Sequence, residues 1–311
     1  MLEPAAVKRV LVTGGSGFVG KKLVAELLKR GDLVTVLTRD ARRAKAKLPS
    51  AVRVAAWNPQ KEGAWCDEMD VVDVVVHLAG EHVITRWTDQ ARRAIESSRV
   101  DSTRLLVAAM ARAKHKPEAL VSASAIGYYG PREPSRELDE SSEAGEGFLA
   151  GVVKRWEEAA KEAEAHGMRS VQVRIGVAFG AGGGALAQMV TPFKMFMGGP
   201  IASGEQVISW VHIEDVVGIM LLAIDNEDLH GPINATSPNA ATSAEIAEAL
   251  GVVLNRPSWF RTPESALKIR FGEAAEVLTT GQRVYPRRAA ELGYEFRHAR
   301  LMPALESILG S

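Results

Sequence analysis

Residues 10–24, VLVTGGSGFVGKKLV, run from a β-branched segment through clustered glycines into an amphipathic helix. That junction constrains the chain more than any other feature, because a strand, a glycine turn and a helix in this order open a parallel, doubly wound sheet. G-x-G-x-x-G, through Gly15, Gly17 and Gly20, and G-x-x-G-x-x-G, through Gly14, Gly17 and Gly20, are both satisfied, so spacing does not choose between them. Under either pattern the glycines permit a tight turn. They also bring a helix N-terminus, with its free N–H groups and dipole, against a pyrophosphate.

The same rhythm continues along the chain. Apolar runs at 7–13, 33–39, 52–57, 73–80, 119–124 and 170–179 alternate with helical stretches, the first of them 18–30 with Val19, Leu23, Leu27 and Leu28 on one face. Six strands alternating with helices predict a Rossmann-type α/β domain, a doubly wound parallel sheet, over residues 1–180. From Gly180 a glycine-rich hinge, GAGGG, leads into shorter mixed elements. These read as a smaller C-terminal α/β lobe on the substrate side, residues 181–311, with some crossing of the chain between lobes.

Charge and cysteine content exclude several functions. The 38 basic residues cancel the 38 acidic ones, so no bulk field favours nucleic acid or an anionic membrane surface. The richest apolar stretch, VVGIMLLAI, is about half of the roughly 20 residues that a membrane span needs. MLEPAAVKRVLVTGG reads as the approach to a strand rather than as a cleavable signal. Cys66 is the single cysteine and no Cys/His cluster has metal-ligand spacing, so neither a disulfide nor a metal is expected. The expectation is a cytoplasmic protein acting on a small molecule; whether it forms a homo-oligomer is not readable.

Dinucleotide preference is set at the end of the second strand, where an acidic residue would hold the ribose hydroxyls of NAD. The chain reads LTRD there. Arg39 at the tip, with Arg42 and Arg43 behind it, offers a fork-shaped partner for the 2′-phosphate of NADP(H), while Asp40 keeps NAD open. Trp57, after the third strand, is placed either to pack or to flank an adenine.

With HLAGE at 77–81, SASAIGYYG at 122–130 and RIGVAFG at 174–180 beside the glycine turn, the chain resembles the short-chain dehydrogenase/reductase superfamily, in its extended, epimerase-like branch. AGEHVITRWT at 79–88, SRVDSTRLL at 98–106, GGPIASGEQVISWVHIEDV at 198–216 and GQRVYPRRAAELGYEFR at 281–297 narrow the resemblance to an atypical group of epimerase-family proteins. Their relatives are described as sugar nucleotide epimerases or cell-division inhibitors. The resemblance implies that Gly14, Ser16, Gly17, Phe18, Val19 and Gly20 form the phosphate loop and that Leu78, Ala79 and Gly80 pass beneath the cofactor. It puts Arg99 where the superfamily often has asparagine, counts it among the residues that bind the cofactor, and makes Ser124 the catalytic serine.

Counting on from Ser124 at the superfamily's spacing to its tyrosine and lysine reaches Leu149 and Val153. Neither can move a proton or hold a nicotinamide ribose. Lys154 is one residue away, which on a helix turns its side chain by about 100°. Tyr128 and Tyr129 are the substitute donors, with Glu81, Arg86 and Arg99 as companions in the same cleft. His212 in WVHIEDV reads as structural. Two functions follow from this reading. One is an NADP-dependent oxidoreductase or epimerase-like enzyme on a small polar or nucleotide-linked substrate, with Ser124 polarising it and Tyr128 or Tyr129 supplying the proton. The other is a catalytically silent NADP-binding regulatory protein that acts through partners.

Overall fold

The computed structural model describes residues 7–310; residues 1–6 and 311, and with them part of the reading of the N-terminal segment, lie outside the described residues. Strand β1 (Arg9–Thr13) shows how the core is organised, since its residues alternate between two helical layers. Val10 and Val12 pack with Leu23, Leu27, Val216 and Met220 on one face, while Leu11 packs with Leu106, Met110 and Leu120 on the other. A strand buried on both faces belongs inside a parallel sheet. Helix α1 (Phe18–Lys29) buries Leu23, Val24 and Leu27, each contributing about 1.5–3 kcal/mol by leaving water.

The chain continues through β2 (Leu33–Thr38), α2 (Ala41–Lys45), β3 (Arg53–Ala56), β4 (Val74–His77), α3 (Asp89–Ser97), α4 (Val100–Arg112) and β5 (Ala119–Ala125). After the short β6 (Glu137–Leu138) come α5 (Phe148–Lys161), β7 (Arg169–Ile175), β8 (Val177–Phe179), α6 (Gly184–Lys194), β9 (Val207–Ile208), β10 (Trp210–His212), α7 (Ile213–Asp225) and β11 (Gly231–Ala235). The seven-stranded sheet has the order β11-β7-β5-β4-β1-β2-β3, with every pairing parallel. Strand order reverses at β1 and β4, which opens a crevice outside their carboxyl ends.

Two features differ from the sequence reading. The sheet has a seventh strand, β11, which joins β7 although it contains Pro232. As the edge strand it tolerates a residue that cannot donate to a ladder on both sides. Its crossover helix α7 packs on α1 and the sheet, so the stretch 213–235 completes the Rossmann layer from beyond the hinge. The run 170–179 is also two strands. A side chain at Gly176 would collide with the Ser209 carbonyl oxygen, and after this crossing β8 leaves the sheet to pair with β10.

The remaining elements are β12 (Ala241–Thr242), α8 (Ser243–Leu254), α9 (Glu264–Phe271), α10 (Glu276–Thr279), β13 (Arg283–Val284), α11 (Arg287–Glu291) and α12 (Leu301–Leu309). Helices α6, α8 and α12 share a second core built on Phe179, Leu186, Phe193, Trp210, Leu250 and Leu305. Among the ties that bind this part to the sheet domain, β13 pairs with β6, and Asp215 of α7 accepts hydrogen bonds from Tyr294 Oη and the backbone N–H groups of Arg297 and His298. Among the described residues no helix is long and apolar enough to cross a membrane.

Candidate functional site

The turn after β1 is built around contacts that leave no room for side chains. Gly14 has φ +67°, and a Cβ there would meet the Leu78 carbonyl and the Ala79 nitrogen at 2.9 Å, where β4 ends. A Cβ on Gly20 would collide with the Gly14 carbonyl oxygen, so α1 rests directly on the loop. Gly17 caps α1 without a side-chain acceptor, which leaves the first-turn N–H groups open to an anion. Ser16 stands half-buried beside it, and Leu78, Ala79 and Gly80 lie across the crevice. Phe18 turns elsewhere: its ring packs on Gly180, Gly183 and Gly184, and Val19 packs against the core.

Thr13 and His77 support this edge from below. Thr13 Oγ1 accepts the N–H groups of Leu78 and Ala79 at 3.1 and 3.3 Å and therefore donates its own proton to His77 Nδ1, 2.7 Å away. The tautomer follows, with Nε2–H directed at Ser102 Oγ, 3.3 Å away. Complete burial pushes His77 down to about 4, with nearby Arg99 adding to the effect.

At the mouth of the crevice Arg39 is 71% exposed along its side chain and pairs with Glu81 at 2.8 Å. Asp40 is committed differently. Its carboxylate accepts the Arg43 N–H at 2.9 Å as the N-cap of α2. Trp57 does not face the crevice: it is buried against Leu11, Leu37 and Met69, with Trp65 and His77 edge-on to its ring. Of its two sequence readings, packing is the one the structure realises.

Of the three residues expected to carry catalysis, Ser124 and Tyr129 occupy a buried network, while Tyr128 is half-buried at its edge. Ser124 and Arg174 are partners across β5 and β7, so both point to the same face of the sheet, towards α5. There Ser124 Oγ donates to Glu157 Oε1 at 2.5 Å, and Arg174 clamps both carboxylate oxygens at 2.8 Å. Arg174 also donates to Tyr129 Oη, which donates to Asn234 Oδ1 at 2.8 Å. Burial raises the Tyr129 phenol to about 12 despite the guanidinium beside it, and no part of the residue reaches solvent. Tyr129 is therefore not a proton donor to a ligand, which corrects that expectation. Tyr128 supplies its ring face to Arg174, whose Cζ lies 3.6 Å from the centroid. Lys154 and Arg86 are exposed.

In front of α5 the sheet domain and the C-terminal elements line a partly open cavity of about 420 Å³. Leu149 and Val153, an i,i+4 pair, line it together with Ile84, Trp87, Ile126 and Val177; Ser124 and Tyr129 do not. The polar lining includes Ser209 and Gln282, both engaged with neighbouring backbone, and Arg99. Arg99 lies under Gly80, where a Cβ would come within 3.1 Å of its Cζ. Burial pulls its guanidinium down to about 10, against the pull of Glu81.

Sequence reasoning missed Glu157, Arg174, Asn234 and His77. Glu157 had a legible signal, because it continues the 149–153 stripe by one more turn of helix. A separate cluster joins His212, Glu214 and His298, with Lys22 on Glu214 at 3.0 Å. It makes a poor metal site. His212 Nδ1 accepts the Glu214 N–H as the cap of α7, so its Nε2 carries the proton, and a lysine already neutralises the carboxylate.

A parallel sheet of this order, with a glycine turn and an uncapped helix at its switch point, defines a Rossmann-type dinucleotide-binding fold. The chain belongs to the NAD dependent epimerase/dehydratase family, whose model matches residues 10–235, while residues 262–308 match a domain of unknown function, DUF1731. It is 39% identical over 306 residues to the chloroplastic homologue of epimerase family protein SDR39U1 of Arabidopsis thaliana, covering 96% of this chain and 86% of that one. Epimerase family protein YfhF of Bacillus subtilis is 34% identical, over 96% and 97% of the two chains. The crystal structure of human epimerase family protein SDR39U1 (isoform 2) with NADPH superposes with a TM-score of 0.84 at 34% identity, over 97% and 99% of the two chains. UDP-glucuronic acid 4-epimerase of Bacillus cereus shares only the fold, at a TM-score of 0.80 and 16% identity over 97% and 98% of the chains.

Proposed function

We propose that this protein binds NADP(H) in the switch-point crevice and an apolar small molecule in the adjoining cavity, and that it performs no acid–base chemistry through α5. The observation that carries the reading is the cavity itself, which is open in front of α5 yet lined there by Leu149 and Val153. A nucleotide-linked sugar would leave its hydroxyls unpaired against such a wall, at a cost of about 1–3 kcal/mol for each buried group. The substrate class expected from sequence is revised accordingly, from polar to apolar.

The fit to the dinucleotide rests on the loop. The free N–H groups at the start of α1 would hold the pyrophosphate, with Gly14, Gly17 and Gly20 keeping the approach clear. Arg39, backed by Arg42 and Arg43, would pair with the 2′-phosphate, since the one acidic group at that strand end, Asp40, is engaged as a helix cap. When bound, the nicotinamide would offer a hydride, but α5 supplies no proton donor to complete a carbonyl reduction. Around it the chain's residues exclude water and orient an apolar partner; Ser124 and Tyr129 keep their protons inside the Glu157–Arg174 network. The compartment remains the cytoplasm in this reading.

NADPH fluorescence tests it. NADPH should bind, and apolar aldehydes and ketones should perturb the emission of the bound dinucleotide without consuming it. UDP-sugars should do neither. Turnover of a UDP-sugar, or failure to bind NADPH, overturns the reading.

A further inference from the structure

Among the described residues, Arg99 presents a cation to a largely apolar cavity with no carboxylate hydrogen-bonded to it. Two of its N–H groups are used, Nη1 to the Ile95 carbonyl at 3.1 Å and Nη2 to the Glu81 carbonyl at 2.9 Å, and both acceptors are neutral backbone. The nearest influential carboxylate, Glu81, spends its charge on Arg39. The guanidinium also lies 5.3 Å from the Trp156 ring, so its surroundings are largely apolar. A half-buried cation so placed is stabilised by an anion delivered by a ligand. Glu146 and Glu276 also line the cavity, but both are exposed, so an acidic head is repelled there and drawn towards Arg99. At about 420 Å³ the cavity lies in the range of small-molecule sites and has room for a chain of roughly ten non-hydrogen atoms.

We propose that the cavity is the site of a medium-chain aliphatic carboxylate, its head on Arg99 and its hydrocarbon against Leu149, Val153 and Trp87. The inference rests on the proposed function only in placing an apolar ligand in front of α5; it does not require the dinucleotide. Arg99 is then a specificity-determining residue, selecting acids over alcohols of the same length.

Calorimetric titration of the full chain with octanoate and with 1-octanol, each with and without saturating NADPH, tests the assignment. Octanoate should bind at least about tenfold more tightly than 1-octanol, the gain of one charge-assisted contact. Arg99→Met should abolish that preference and Arg99→Lys restore part of it. Equal binding of acid and alcohol by the wild type overturns the proposal. So does an Arg99→Met protein that weakens NADPH while still preferring octanoate, since the cation then serves the dinucleotide. Failure of the wild type to bind NADPH, with its octanoate preference intact and abolished by Arg99→Met, defeats the proposed function and leaves this inference standing. Should Arg99→Met not fold, carboxyl-labelled octanoate on the wild type gives the same answer by NMR. The bound carboxyl should stay ionised below its solution pKa, and a bound carboxyl that titrates at or above that value is fatal.

Discussion

Arg39 and Asp40 are adjacent in the chain and opposite in what they offer a nucleotide. Asp40 spends its carboxylate on the Arg43 N–H, whereas Arg39 stands exposed with an exchangeable partner, Glu81. Arg39→Ala should therefore weaken NADPH by roughly 10–100-fold, the loss of about 1.5–3 kcal/mol of charge-assisted contact, and leave NADH nearly unchanged. Titration of both dinucleotides into both proteins measures the difference, and a parallel loss for the two would assign Arg39 no role in discrimination. The glycines separate in the same way. Gly17 has ordinary helical-cap geometry and only the Gly14 carbonyl oxygen, at 3.1 Å, near a new Cβ, so Gly17→Val should keep its fold and weaken NADPH by more than about a hundredfold. Gly20→Ala drives a methyl into the Gly14 backbone and should lose thermal stability as well as binding. Such residues were legible because local geometry decides them. Trp57 was not, because its burial depends on Trp65, Met69 and His77, which reach it only through tertiary packing.

At the scale of the element, α5 carries the clearest departure from its superfamily. Its inward stripe runs Leu149, Val153, Glu157 at successive i,i+4 steps, so the ionisable group sits beyond the cavity and under the sheet. Burial opposes the charge on Arg174, yet Glu157 and Tyr129 hold its guanidinium well above the usual range. The pair serves architecture. Glu157→Ala should cost about 3–5 kcal/mol of unfolding free energy, because it strands a buried guanidinium, while Ser124→Ala should cost about 1.5–3 kcal/mol. Urea unfolding separates this from a catalytic role: an unaltered midpoint for Glu157→Ala would return the network to the active-site candidates. The apolar positions of α5 could be counted from Ser124, but the fate of Ser124 itself depended on Arg174, its partner across a strand that sequence spacing does not place.

At the scale of the whole molecule, the alternating rhythm made the Rossmann sheet legible as far as β7. Strand β11 was not separated from the shorter mixed elements beyond Gly180, because only the register with β7 makes Gly231 and Pro232 part of an edge. The same long-range pairing places His77, at the end of a buried strand, between Thr13 and Ser102. Its imidazole is neutral when folded, with the pKa pushed from 6.5 down to about 4, and free to take a proton when unfolded. Between those values the unfolded chain binds more protons, so stability rises with pH across this window and falls on acidification. The full difference corresponds to about 3 kcal/mol at about 1.4 kcal/mol per pH unit. His212, also pushed down to about 4 by burial and by His298, acts in the same direction. Glu214, held near 2 by Lys22 and His298 against burial, adds a further loss only at lower pH. Urea unfolding at pH 7.5 and 4.5 should therefore show a marked loss of stability in the wild type. His77→Gln should lose less over the same interval, by about 2–3 kcal/mol. An equal loss in the two proteins would mean that His77 is protonated within the folded core, and the hydrogen-bond tautomer assigned through Thr13 would have to be abandoned.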